Sequence, residues 1–193
     1  MKYSVMCWLT AAGLTLMSST AIADQNAPPV IKGSCALWPH GRCQGADLRH
    51  MDLSAMDLAG IDFTGANLAR VDLRAANLAG AILDGADLTG AKLGKVNAPA
   101  ASFKGAKLVG ADLEFARVMR SDFSHADLTG ANMEMIRAPY AWFKYATLTS
   151  ANMQEAKMNS TNLEGANMEG VVRKFAIFPE SYFGGCTGCP TDW

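Results

Sequence analysis

The sequence predicts a solenoid, one short turn repeated along most of its length. Three observations carry that prediction. From Leu48 to Met168 an apolar residue or Ala recurs at every fifth position, 25 times without a frame break, which leaves little room for chance. Two positions before each the residue is mostly small, Ala in 17 of 25 cases, so the chain can approach itself closely there. The position between is Asp or Asn in 16 of 25, a polar residue in a fixed place. A helical period of 3.6 would smear these positions around a cylinder, and strand alternation fails because five is odd. Period five holds only if the chain makes a similar turn every five residues, with one central and one small side chain facing inward. Composition agrees: half of the 193 residues are hydrophobic but only 8% are aromatic, so the core is built from Leu and Ala.

The elements follow in chain order. Residues 1–23 have the layout of a secretory signal peptide: Lys2, an apolar run from Val5 to Met17, then Ala21-Ile22-Ala23 before Asp24. The run is shorter than the ~20 residues a membrane-spanning helix needs, and no later segment is apolar enough to span. Cys7 lies inside the run, so it is not the lipidated first residue of a lipoprotein. Export to the periplasm or the medium is therefore expected, with no integral membrane segment after cleavage. Residues 24–34 form an extended linker around Pro28 and Pro29. Residues 35–45 start an N-terminal cap, with Ala36-Leu37-Trp38 and Gly41-Arg42-Cys43 already in phase. The repeats run over 46–185, where Ala176-Ile177-Phe178 and Ser181-Tyr182-Phe183 keep the register and Arg173 alone breaks the apolar centre. Residues 186–193 are a tail carrying Cys186-x-x-Cys189.

The unit A-(D/N)-L-x-x, visible in GADLTGAKL and GANMEGVV, strongly resembles the pentapeptide repeat family. That resemblance implies an all-β fold, a right-handed quadrilateral β-helix with four units per coil. The 28 units of 46–185 then make about seven coils, a rod about 34 Å long at the spacing of paired strands. Stacking every twentieth residue lines up Phe63, Leu83, Phe103, Phe123, Phe143, Leu163 and Phe183. The preceding column holds Leu58, Leu78, Ala98, Val118, Ala138, Met158 and Phe178. Its small members each precede a Phe, which keeps the filled volume of the lumen roughly constant. The stretch from Ala98 to Ala116 also matches that from Ala138 to Ala156, two coils later, with Pro99 and Pro139 stiffening the same corner.

A solenoid needs protected ends, and the four cysteines beyond the signal sit there. In an exported chain such pairs are expected to be disulfides, Cys35 with Cys43 above all. A zinc site made from all four is excluded by the length of the rod, with its ends roughly 30 Å apart. For Cys186 and Cys189 a structural bridge leads, with redox or metal use left open. Trp38, between the first pair, is expected to cover the first coil's apolar centres. An end-to-end homodimer is compatible with such ends.

No catalytic constellation is present. His40, His50 and His125 have no metal-ligand spacing, and no nucleophile elbow, phosphate loop or cofactor fingerprint occurs. The methionines fall mostly on core positions, with Met51 and Met56 at the small inward place, so they are filler and not a copper site. The chain is not expected to be an enzyme or to hold a cofactor or metal.

One region departs from the repeat. Where Asp57, Asn77 and Asn97 obey the rule, the next coils place Arg117, Arg137 and Lys157. Arg120 and Tyr140 lie at the adjoining corner, and Trp142, Lys144 and Tyr145 follow. Asp112, Glu114, Glu134 and Glu155 make the neighbouring face acidic. A basic, aromatic patch suits an anionic polymer, a sugar or an acidic protein, so the expected partner is an unidentified protein or cell-envelope polymer. Nucleic acid is not expected, because the net charge is only −1. The resemblance also implies an alternative, since quinolone-resistance members mimic duplex DNA and occupy topoisomerase. The signal peptide and near-neutral charge count against it, and a non-enzymatic scaffold leads.

Overall fold

The computed structural model describes residues 30–32 and 35–190; the expected signal peptide, residues 1–23, lies outside them, as does most of the expected linker. The chain winds as a right-handed quadrilateral β-helix. Three hydrogen bonds per unit hold successive coils together, one of them from the N–H two positions after the centre, as from Arg70 to the Thr89 carbonyl at 2.9 Å. The N–H of each central residue donates to the carbonyl nineteen positions on, as from Leu68 to Asp87 at 2.7 Å. The N–H of the preceding residue donates to the carbonyl twenty-one positions back, as from Asp87 to Ala66 at 2.9 Å. Parallel bridges therefore step by twenty from Arg42↔Asp62 to Asn167↔Thr187. The ladder thus extends one unit before Ala46 and a step beyond Gly185.

Each corner is closed by a turn in which the N–H of the small inward residue donates to the central carbonyl three positions earlier. Met51 to Leu48 at 3.2 Å is one example. Every fifth residue from His40 to Gly185 has a positive φ, between 51° and 69°, the mark of a type II turn. Gly suits that place, yet eighteen other residues also occupy it. Each of those stores roughly 1–2 kcal/mol of local strain that the ladder must outweigh.

The Asp or Asn of the unit starts the turn. Its side-chain oxygen accepts the N–H two positions on: Asp52 from Ser54 at 2.9 Å, Asp87 from Thr89 at 3.0 Å and Asn162 from Glu164 at 3.0 Å. This Asx turn occupies an N–H that the ladder leaves unused, and it explains the preference for Asp or Asn at this position. The sequence shows these residues only as outward-pointing members of a motif; their local bond is a structural finding.

These bonds have an acid signature. Hydrogen bonds from the side chains of Ser54, Thr64 and Thr89 hold Asp52, Asp62 and Asp87 below the ordinary carboxylate range, and Arg74 does the same for Asp72. A depressed folded value means stability that is complete above the unfolded value, about 4, and lost as pH falls through the lower folded one. Thermal midpoints should be flat near neutrality and decline below about pH 4. Replacing all four with Asn keeps an acceptor for each turn N–H and should shallow that acid limb. An unaltered limb would show that other carboxylates carry it.

The lumen is filled as the stacking predicts. Phe103, Phe123 and Phe143 are fully buried. Their rings stack at 4.6 and 4.9 Å, within 3° of parallel. Ala98, Val118 and Ala138 are buried beside them. The polar residues that enter the core are satisfied: the Ser121 hydroxyl donates to the Ala98 carbonyl at 2.6 Å and that of Thr161 to Met158 at 3.0 Å.

The two ends differ. At the N-terminal end β1 (Val30–Lys32) pairs antiparallel with β2 (Cys35–Leu37). Cys35 and Cys43 are joined with their Cα atoms 4.5 Å apart, and both are buried with Leu37. Trp38 is not the lid expected of it. It is 45% exposed, because Leu37 and the disulfide already fill the end of the lumen. At the other end Cys186 and Cys189 are joined, while Phe175, Ile177 and Tyr182 of the last coil are exposed. The Arg173 guanidinium donates to the Gly188 carbonyl at 3.4 Å.

Candidate functional site

The repeat dictates what should occupy the outward column that begins at Asp57. The Asn77 amide donates to Asp57 at 2.8 Å, and that of Asn97 donates to Asn77 at 3.2 Å, a side-chain ladder along the rod. At the next coil it stops. Asn97, Arg117, Arg137 and Lys157 continue the backbone bridges, so three cationic side chains leave the rod from adjacent coils. None can accept a turn N–H, so the column forgoes both the amide ladder and the Asx turn. All three are exposed, and no ion pair joins them to an acid among the described residues.

Shallow furrows border this column on both sides. One is lined by Lys95, Phe115 and Met135 with Arg117 and Arg137. On the other side Pro99, Met119 and Pro139 line one depression, and Pro139, Tyr140 and Asn159 line the next. Pro99 and Pro139 take the second place of their type II turns, where a fixed φ is favourable and no N–H is available for an Asx bond. Above that corner the Arg120 guanidinium lies 5.8 Å from the Tyr140 ring centre, while Lys95 lies 5.9 Å from that of Phe115. Phe115, Met119 and Tyr140 are exposed.

The patch expected from sequence divides here. Arg117, Arg120, Arg137, Tyr140 and Lys157 share the column and its corner. Trp142 bridges Asp122 and Asn162 in a different column, past that corner. Beyond it the Lys144 ammonium pairs with Glu164 at 2.8 Å, which raises its pKa. Lys104 pairs with Asp122 at 3.3 Å, and the Tyr145 ring stacks on His125 at 5.2 Å. That second face therefore offers aromatic surface with its nearby lysines already neutralised. Sequence reasoning missed Phe115, Met119 and Met135. The signal was there: each stands at an outward turn position that is polar, Gly or small in most units.

The arrangement can attract anions and cover apolar groups. Among the described residues no cluster of His, Cys, Asp or Glu could hold a metal ion, and no helix is long and apolar enough to cross a membrane.

The family model described as pentapeptide repeats matches eight copies over 42–78, 66–98, 100–134 and 140–171. No curated protein matches the chain in sequence. Among solved structures the chain is similar to HetL, a pentapeptide repeat protein involved in heterocyst differentiation regulation in the cyanobacterium Nostoc. That match has 27% identity over 75% of this chain and 84% of HetL, with a TM-score of 0.40. It is also similar to a trypsin-treated form of QnrB1, a plasmid-mediated fluoroquinolone resistance protein. There the identity is 18% over 79% of this chain and 77% of the other, with a TM-score of 0.50, a likeness of fold.

Proposed function

This chain belongs to the pentapeptide repeat family, and from that premise we propose that it is an exported, non-enzymatic scaffold docking an anionic partner on its Arg117–Arg137–Lys157 face. The observation that carries this reading is the unpaired cationic column itself. Adjacent like charges at one coil spacing repel by roughly 1 kcal/mol or less in water, while the residues they replace stabilise the turn. A partner's anions turn that repulsion into attraction.

Replacing Arg117, Arg137 and Lys157 together with Asn tests it. The new side chains can accept the N–H groups of Met119 and Asn159, though not at Pro139, so the melting midpoint should hold or rise slightly. Retention on a polyglutamate matrix should fall sharply. Trp142→Ala, past the corner, should change retention little. A triple variant retained as well as the parent would move the docking site to another face.

Export rests on the pattern of residues 1–23 and agrees with the two cysteine pairs. Mass spectrometry of the expressed full-length chain should find a mature N-terminus at Asp24; a chain retaining Met1 would overturn export. A DNA-mimicking reading would place anions where this face places cations.

A further inference from the structure

We infer that the occupant of this face is an amphipathic α-helix, lying along the rod, with acidic residues at i, i+4 and i+7 and apolar residues on both sides of that stripe. The inference rests on the reading of the cationic column as a docking face and adds the identity of what docks. Two independent observations carry it.

The first is spacing. Coils repeat at about 4.8 Å, so the backbone positions of the first and third cations lie about 9.6 Å apart along a straight line. An extended peptide shows same-side residues every ~6.7 Å, or ~13.4 Å over three, and falls out of register. Seven residues of α-helix rise ~10.5 Å, a mismatch of about 1 Å that long Arg and Lys side chains absorb.

The second is the apolar rim. Phe115 and Met119 flank Arg117, and Met135 and Pro139 flank Arg137. Two coils before Phe115 and Met119 the same places hold Ala75 and Ala79. The bulky apolar side chains thus enter at the Arg117 and Arg137 coils, whereas Glu155 and Asn159 flank Lys157 and leave that end of the stripe polar. A purely hydrophilic polyanion has no use for them. A helix whose acidic stripe is bordered by Leu or Phe lays one border in each furrow, the groove mode of helix recognition.

The test uses the full mature chain and three labelled probes, read by fluorescence anisotropy. One is a synthetic peptide carrying the acidic stripe with Leu borders; one is its scrambled isomer; the third is polygalacturonate. The patterned peptide should bind at least about tenfold tighter than the scrambled one and gain helical circular dichroism on binding. The Arg117→Asn, Arg137→Asn, Lys157→Asn variant should lose that binding about tenfold or more. Phe115→Ser with Met119→Ser should weaken the peptide about tenfold and leave polygalacturonate unchanged, with thermal midpoints confirming that both variants fold. Equal binding of the two peptides, or preference for polygalacturonate, with loss in the triple variant would overturn the helix while the docking face stands. Binding of every probe that is absent or indifferent to the triple variant would overturn both.

Discussion

Phe123→Ala should cost about 3–5 kcal/mol, among the largest effects of any single substitution in the rod. The ring sits between those of Phe103 and Phe143 at 4.6 and 4.9 Å, so its loss opens a void against two aromatic faces. The walls cannot close on it. The Phe123 N–H donates to the Trp142 carbonyl at 2.7 Å and that of Asp122 to Ala101 at 3.0 Å, which fixes the backbone to coils on both sides. Coil contacts are only between neighbours, so the damage should begin locally and split the unfolding transition before it lowers the whole. Urea denaturation followed by amide exchange reads both. The column argument adds a second variant, because Val118 is buried at the neighbouring central position. Val118→Phe added to Phe123→Ala should recover part of the loss by refilling the same slice of lumen. A cost below about 1 kcal/mol for Phe123→Ala would show that the lumen relaxes, contrary to a backbone bonded on both sides.

Removing the N-terminal disulfide is the second large effect. Cys35 and Cys43 are 8 positions apart, and a loop of that length contributes about 2–3 kcal/mol by restricting the unfolded chain. Its loss also releases β2 and Leu37 from the end of the lumen, exposing apolar centres such as Leu48. Replacing both cysteines with Ala, which leaves no buried hydroxyl, should lower stability by at least that amount. The first coil's amides, those at positions 43 and 48 among them, should exchange faster while that of Phe103 holds. A reductant should reproduce the effect in the parent chain and do nothing to the variant. Unchanged exchange at Leu48 would mean that the hairpin holds the end without the bridge.

Much of this was legible in the chain. The unbroken five-residue ladder predicted a repeated turn, the family resemblance implied four units per coil, and counting by twenty then placed Phe103, Phe123 and Phe143 in one stack, as found. The same count put Arg117, Arg137 and Lys157 on one line. Other features were not legible. Period alone cannot show that Asp52 turns back to the Ser54 N–H, because an outward residue and an Asx acceptor have the same spacing. Nor could it show that Lys144 meets Glu164, since that depends on which way two long side chains lean between adjacent coils. Trp38 was misjudged because aromatic size suggested a lid, whereas the disulfide and Leu37 had already filled the space.

By itself, then, the sequence determined the path of the backbone and the contents of the lumen. In a solenoid each residue's inward or outward direction follows from its place in the unit, and its neighbours follow from adding or subtracting twenty. Only the tertiary structure decided the character of the surface. Outward side chains answer to partners on other coils and at corners, so pairing neutralised Lys104 and Lys144, while Arg117, Arg137 and Lys157 stayed free between apolar furrows.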